Sequence, residues 1–211
     1  MRSDNLYELP KDLPVPQDDG ACDHLTGMKL PAIALRSMRG GTVDLAGLGG
    51  TTVIYIYPRT GRPDQEVPPG WNEIPGARGC TPQSCAFRDH HEELKRAGAA
   101  QVFGLSTQDP AYQREAAERL HLPFELLSDA KLQLVTALKL PTFEVDGMKL
   151  IKRLTLIARD RQIAGTPRLE GAIWGARRGE PAIVKVFYPV FPPDGNASDV
   201  LAWLDIARRD G

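Results

Sequence analysis

Hydrophobic residues in this chain are concentrated in short runs, which alternate with amphipathic stretches and with loops rich in proline and glycine. The run TTVIYIYP (51–58) is β-branched and aromatic and stops at Pro58, which predicts a buried central strand. The run AQVFGLSTQ (100–108) predicts a second buried strand. Further strands are predicted at KLPAIALRS, GGTVDL, PFELLSD, KRLTLIARDRQI and IVKVFYPV.

Helical patterns follow several of these strands. Gly98 is expected to end a helix that begins at the cysteine-containing segment. Asp109 is expected to cap the next helix, with Pro110 at its first position, and Asn196 or Ser198 is expected to cap the last one. Helices are predicted over 80–97, 109–122, 130–140 and 195–210.

The order of these elements is β-α-β-α-β, followed by a hairpin and a closing helix. This order predicts an α/β fold in which helices cover both sides of a mixed central sheet, which is the topology of the thioredoxin fold. Residues 1–20 are rich in Pro and Asp and show no periodicity, so we expect a loosely attached arm followed by one domain over 21–211. Two insertions rich in Pro and Gly are predicted at about 61–78 and 164–182.

Composition narrows the classes of function. With 211 residues, 42% of them hydrophobic, the chain can build a core without disulfides, and a net charge of −1 does not favour nucleic acid as a partner. No run approaches the ~20 apolar residues of a membrane span, and the first residues lack the apolar core of a secretory signal. Only three cysteines are present, which is typical of a reducing compartment, so a cytoplasmic protein is expected.

Two of the three cysteines stand together where a helix is predicted to begin. Cys80 lies at the predicted helix N-terminus, where unpaired N–H groups and the helix dipole favour an anion, and Arg78 is two residues away. Free cysteine has a pKa of about 8.5, so a site that favours the thiolate increases its reactivity at neutral pH. The pattern therefore predicts a reactive Cys80.

The spacing of Cys80 and Cys85 predicts a conformational switch. Five residues of helix rise about 7.5 Å, whereas Cα atoms more than about 7 Å apart cannot be joined by a disulfide. A bond between these two cysteines would therefore require the first helical turn to unwind.

The cysteines have other possible roles, as zinc ligands, as a disulfide-reductase pair or as packing residues. A zinc site would need two more ligands, and the spacing to His90 and His91 is unusual for a metal, so these histidines are expected on a solvated or half-buried face. A disulfide reductase normally carries Cys-x-x-Cys, which this segment does not. Cys22, in the arm region, is interpreted as a small packing residue. Neither a metal nor a cofactor is predicted.

The segment GCTPQSCAFRD (79–89) closely resembles the active-site segment of Q-type peroxiredoxins, also called the bacterioferritin comigratory protein type. The similarity runs over roughly residues 24–209, because KLPAIAL, TVIYIYP, VFGLSTQ, LPFELLSD, KRLTLI and VFYPV follow in the family's order. The resemblance implies a thiol-dependent peroxidase that acts on hydrogen peroxide or organic hydroperoxides and is recycled by thioredoxin or a similar reductant. Monomer and weak homodimer both remain open.

The resemblance also implies residue roles. Cys80 corresponds to the cysteine that attacks peroxide, Cys85 to the cysteine that resolves the sulfenic acid as a disulfide, and Arg153 to the arginine that contacts sulfur and substrate. The family places a threonine three residues before the reactive cysteine, where this chain has Ala77. We expect Thr60 to fold back into that position; water or Arg78 is the alternative.

Two further features leave alternatives open. Trp71, in the long loop before Cys80, is a candidate lid residue, although a packing role is the favoured interpretation. A redox sensor or a disulfide oxidoreductase of the same fold, without efficient peroxidase turnover, is the alternative function.

Overall fold

A seven-stranded mixed sheet forms the centre of a computed structural model, which describes residues 5–160 and 180–209. The strands of the described chain are β1 (Ala34–Ser37), β2 (Thr42–Asp44), β3 (Thr51–Ile56), β4 (Ala99–Ser106), β5 (Glu125–Ser128), β6 (Thr142–Val145), β7 (Met148–Ile151), β8 (Leu154–Arg159) and β9 (Ala182–Phe187). Across the sheet the order is β2-β1-β5-β4-β3-β8-β9. The β3–β4 and β4–β5 pairs are parallel and the other pairs are antiparallel.

Five α-helices flank the sheet in the described residues. They are α1 (Cys80–Asp89), α2 (His91–Arg96), α3 (Pro110–Arg119), α4 (Gln133–Leu138) and α5 (Asn196–Arg209). The predicted cap of α3 is confirmed, because the Asp109 side chain accepts hydrogen bonds from the N–H groups of Ala111 and Tyr112.

The period of two along β3 creates a core on each face of the sheet. Ile54 and Ile56 point into one apolar cluster, which α4 and the residues before β1 cover. Val53, Tyr55 and Tyr57 point into the other, which α1, α2, α3 and α5 cover. Because both faces are covered, β3 is buried throughout, and the prediction of a mixed sheet between helices is confirmed.

The helix predicted over 80–97 is wrong in one respect, because it is broken. His90 has φ −92° and ψ 6°, outside the helical region, and it separates α1 from α2. Glu93 and Ser198 hold the His90 side chain through contacts with its Nδ1 and Nε2 atoms. The Ser198 contact comes from α5, which is distant in the sequence. The residues next to His90 include no proline or glycine, so the local sequence does not predict the break.

A hairpin that the sequence reading did not identify follows α4. β6 and β7 pair antiparallel around Asp146 and Gly147, which have φ values of 50° and 70°. An Asp-Gly pair is a typical signal of a two-residue hairpin turn and could have located it.

The N-terminal segment contacts the domain near both of its ends. The backbone oxygen of Asn5 accepts a hydrogen bond from Arg78 Nη2 at 2.8 Å. The Asp19 carboxylate accepts one from Lys152 Nζ at 2.7 Å and one from the Tyr188 hydroxyl at 2.8 Å. The division into arm and domain at residue 20 stays a prediction.

The second predicted insertion, 164–182, lies almost wholly outside the described residues. β8 and β9, on either side of it, form the expected antiparallel pair. Within the described ranges, no helix is both long and apolar enough to cross a bilayer.

Gly104 tests the tight packing beside β3. A Cβ at this position would lie 2.5 Å from Leu126 Cδ2 and 2.6 Å from both the Cζ atom and the hydroxyl oxygen of Tyr55. We expect Gly104→Ala to lower the free energy of unfolding in urea by about 1–3 kcal/mol, because the core cannot accept the added methyl group. Gly47→Ala, where a Cβ meets nothing within 4 Å, is the matched control. Equal stability of the two variants would contradict this account of the core.

Candidate active site

Cys80 is the first residue of α1 and is 3% exposed. Gly79, which precedes it, has φ 101° and ψ 20°, a left-handed conformation that strongly favours glycine. Gly79 makes no side-chain cap hydrogen bond, so the first-turn N–H groups of α1 have no capping side chain from this residue. The helix start predicted from the sequence is confirmed.

Arg153 brings a buried guanidinium to this helix start from the junction of β7 and β8. Its Nη2 lies 3.2 Å from Cys80 Sγ. The same nitrogen donates to the carbonyl oxygens of Ala77 and Arg78 at 3.1 and 3.0 Å, and Nε donates to that of Gly76 at 3.3 Å. One side chain thus holds both the sulfur and the backbone that leads into the helix.

The positive charge of Arg153 bears on the state of the Cys80 sulfur that it contacts. A guanidinium remains protonated at ordinary pH, and Arg153 is only 3% exposed. Among the described residues, its hydrogen-bond acceptors are carbonyl oxygens, a side-chain amide and the Cys80 sulfur, and none is a carboxylate. A buried charge is costly without an opposite charge, so this guanidinium favours an anion at the position of the Cys80 sulfur.

A buried amide network fixes the far side of the guanidinium. Gln83 Oε1 accepts a hydrogen bond from Arg153 Nη1, while Gln83 Nε2 donates to Asn196 Oδ1 at 3.0 Å. The Thr155 hydroxyl donates to the same Asn196 oxygen at 2.7 Å. Asn196, expected as a helix cap, is instead already helical (φ −60°, ψ −38°) and serves this network. The reading of the sequence missed Gln83, although it lies one helical turn after Cys80.

A small pocket opens above the sulfur. Its wall contains Cys80 and Thr60 together with the side chains of Arg59, Arg62 and Arg78. Apolar residues that share this wall are Leu6, Val67, Pro68 and Trp71. Glu66 also lines this pocket, so its wall combines three arginines and one carboxylate with apolar residues.

Thr60 and Ala77 have different relations to Cys80. Thr60 is fully buried and lines the pocket of Cys80, as does Arg78, the alternative considered for the missing threonine. Ala77 lies three residues before Cys80, and its backbone oxygen is 3.6 Å from the Cys80 sulfur. In the neutral thiol this oxygen is the acceptor for the S–H group.

Cys85 lies on the same unbroken helix as Cys80. All three cysteines are free thiols, and α1 runs intact from Cys80 to Asp89. Burial raises the pKa of the half-buried Cys85 thiol, and the nearby Arg88 opposes this effect. Because the helix separates the two cysteines by five residues, their sulfurs can meet only after its first turn unwinds.

Trp71 anchors the long loop before Cys80. It is 4% exposed and packs in a small apolar cluster with Ala77 and Leu150. Its ring centroid lies 6.2 Å from that of Phe143 in β6. Trp71 is therefore a packing residue, as the favoured interpretation held, and it also forms part of the pocket wall.

The two histidines after Cys85 are half-buried, as expected. His91 packs against the Phe124 ring at 5.7 Å, and burial lowers its pKa. No group of three or more potential metal ligands occurs among the residues that the structure describes.

Comparison with known proteins adds to this geometry. The Redoxin family profile matches residues 25–170. Chloroplastic peroxiredoxin Q from Populus jackii is 38% identical over 104 residues, which cover 49% of this chain and 41% of that protein. Chloroplastic peroxiredoxin Q from Gentiana triflora is 35% identical over 130 residues, which cover 59% and 52% of the two chains. The matched region thus spans about half the length of these curated relatives.

Solved structures show the same fold. Peroxidoxin BcpB from Mycobacterium tuberculosis superimposes with a TM-score of 0.60 at 22% identity, covering 86% of this chain and 96% of that one. Peroxiredoxin Q from Xanthomonas campestris gives a TM-score of 0.56 at 21% identity, covering 92% and 98%. These structural similarities confirm the thioredoxin-like fold class, and the curated relatives confirm the resemblance to Q-type peroxiredoxins.

Cys22 provides a test of which thiols the fold protects. It is 5% exposed, and burial beside Asp19 and Asp18 raises its pKa to about 12. At pH 8 only about one molecule in ten thousand then carries the thiolate, whereas an unhindered cysteine is about one-quarter ionised. In the double variant Cys80→Ser/Cys85→Ser, we expect iodoacetamide to label native protein at least about 1,000-fold more slowly than a free cysteine peptide. Labelling at the peptide rate would show that the Cys22 thiol is accessible and contradict this expectation.

Proposed function

The chain belongs to the Redoxin family, and on that basis we propose that it is a thiol-dependent peroxidase that reduces hydroperoxides at Cys80. The observation that carries the proposal is the 3.2 Å contact between Arg153 Nη2 and Cys80 Sγ at the start of α1. The guanidinium and the first-turn N–H groups together favour a negatively charged sulfur. The pocket above this sulfur is where a small hydroperoxide would bind.

In the proposed first step, the Cys80 thiolate attacks the terminal oxygen of the hydroperoxide. The S–O bond forms as the O–O bond breaks, which leaves a sulfenic acid on Cys80 and releases an alkoxide or hydroxide that takes up a proton. Negative charge moves onto the leaving oxygen during this step. Arg153 Nη2 and the N–H groups at the helix start are preorganised donors for that charge.

In the proposed second step, the Cys85 sulfur attacks the sulfenic acid. A disulfide forms and one water leaves, and a thioredoxin-like dithiol then reduces the disulfide by exchange. The intact α1 separates the two cysteines, so its first turn has to unwind between the steps. The proposed Thr60 role is to orient the hydroperoxide, because Thr60 and Cys80 line the same pocket.

One observation favours a second candidate function, a redox sensor without efficient turnover. Burial raises the pKa of Cys85, which reduces the fraction of the resolving thiolate. Slow resolution would leave Cys80 oxidised long enough to signal. Continuous turnover with peroxide and a dithiol reductant separates the candidates, because a sensor would show only a single oxidation.

The peroxidase proposal is tested with cysteine variants. We expect Cys80→Ser to abolish peroxide consumption, since the serine hydroxyl is a poor nucleophile at neutral pH. Cys85→Ser should consume one equivalent of hydrogen peroxide and accumulate a sulfenic acid, which dimedone traps for mass spectrometry. Cys22→Ser is the control and should retain turnover. Turnover by the Cys80→Ser variant would overturn the assignment.

Leu9 tests the unwinding step. A Cβ placed on Gly79 would lie 2.8 Å from Leu9 Cδ2 and 2.6 Å from Pro193 Cγ, so these two side chains enclose the residue before Cys80. Leu9→Ala removes one of them, and we expect disulfide formation after one equivalent of peroxide to become about 3- to 10-fold faster because unwinding costs less.

Non-reducing mass spectrometry of quenched samples measures the Leu9→Ala rate. Val15→Ala is the matched control, since Val15 belongs to the same segment but is 63% exposed. An unchanged or slower rate in Leu9→Ala would show that the N-terminal segment does not restrain the helix start.

A further inference from the structure

Gln108 makes three hydrogen bonds to a single pocket residue. Its Oε1 accepts from the Thr60 backbone N–H at 2.9 Å and from the Thr60 hydroxyl at 3.1 Å. Its Nε2 donates to the Thr60 backbone oxygen at 3.1 Å. Thr60 follows β3 and Gln108 follows β4, and these neighbouring strands are parallel, so both residues lie at the same edge of the sheet.

The backbone of Thr60 determines the orientation of this amide. The N–H can only donate and the carbonyl can only accept, so the Gln108 oxygen faces the former and its nitrogen faces the latter. The Thr60 hydroxyl therefore meets an oxygen, and it has to donate its proton to it. The lone pairs of Thr60 Oγ1 are left available to accept a hydrogen bond.

This arrangement gives the hydroxyl of Thr60, a residue that lines the pocket, a defined hydrogen-bond polarity. A hydroperoxide carries an O–H group on the oxygen that a thiolate attacks, and this holds for hydrogen peroxide and for organic hydroperoxides. We propose that Gln108 is a positioning residue, which holds Thr60 in the pocket and makes its hydroxyl the acceptor for the hydroperoxide O–H. The proposal rests on the proposed peroxidase function and adds a residue outside the cysteine motif.

Gln108 is itself anchored to the core. Its backbone N–H donates to Ser106 Oγ at 3.3 Å, and the same oxygen accepts from Gln113 Nε2 at 3.0 Å. Ser106 and Gln113 are fully buried, so the positioning contact is connected to β4 and α3. Thr60 thus acquires a fixed place although it begins a long loop.

The test is the second-order rate of Cys80 oxidation by hydrogen peroxide in the reduced protein. Gln108→Met keeps the length of the side chain and removes its hydrogen bonds, and we expect a loss of about 10-fold, the effect of about one hydrogen bond. In a Thr60→Val background the same substitution should cause little further loss, because Gln108 acts through the Thr60 hydroxyl. Alkylation of Cys80 by iodoacetamide should not change, since that reagent offers no O–H to Thr60.

Gln101→Met is the matched control. Gln101 accepts a hydrogen bond from Thr52 Oγ1 at 3.3 Å on the same two strands, and its loss should leave the peroxide rate unchanged. Gln108→Ala gives a second, smaller replacement if the methionine variant does not fold. An unchanged peroxide rate, an equal loss in both backgrounds, or an equal loss with iodoacetamide would overturn the assignment of Gln108. A wild-type protein that does not react with peroxide would instead overturn the proposed function.

Discussion

The site is organised by a buried guanidinium that has no carboxylate partner among the described residues. Arg153 donates to the carbonyl oxygens that lead into α1 and to the sulfur of Cys80. Its remaining nitrogen, Nη1, donates to Gln83 Oε1, and Gln83 Nε2 in turn donates to Asn196 Oδ1. Arg153 is only 3% exposed, and in the proposed mechanism a thiolate at Cys80 is the anion that balances its charge.

The sheet explains why these groups converge. Strands β3 and β4 are parallel, so the residues that follow them lie at one edge, where α1 also begins. Thr60 and Gln108 meet there directly. The long loop that separates Thr60 from Cys80 does not disperse the site, because Trp71 anchors it against the β6–β7 hairpin.

The two proposed steps make opposite demands on α1, because one needs its first turn intact and the other needs that turn to unwind. The proposed first step needs the helix intact, since in that step its N-terminus and Arg153 act on the sulfur. The proposed second step needs the first turn to open so that Cys85 can reach Cys80. Leu9 and Pro193 enclose Gly79 at the boundary of this turn, so packing outside the motif adds to the cost of opening. In the proposed mechanism, the N-terminal segment therefore influences the balance between the steps.

Local patterns in the sequence determined the strands, most of the helices and the cysteine at a helix start. Period-two runs, caps and the glycine at the helix end depend only on neighbouring residues. The break at His90 was not predictable in this way, because Ser198 from α5 contributes to it. The β6–β7 hairpin differs from this break, because its Asp-Gly turn is a local signal from which the sequence could have predicted it. The 3.2 Å approach of Arg153 to Cys80, the Gln83 network and the contacts between Gln108 and Thr60 join residues far apart in the chain. Only the packing of the sheet brings them together, because their positions are set by strand order and not by spacing along the sequence.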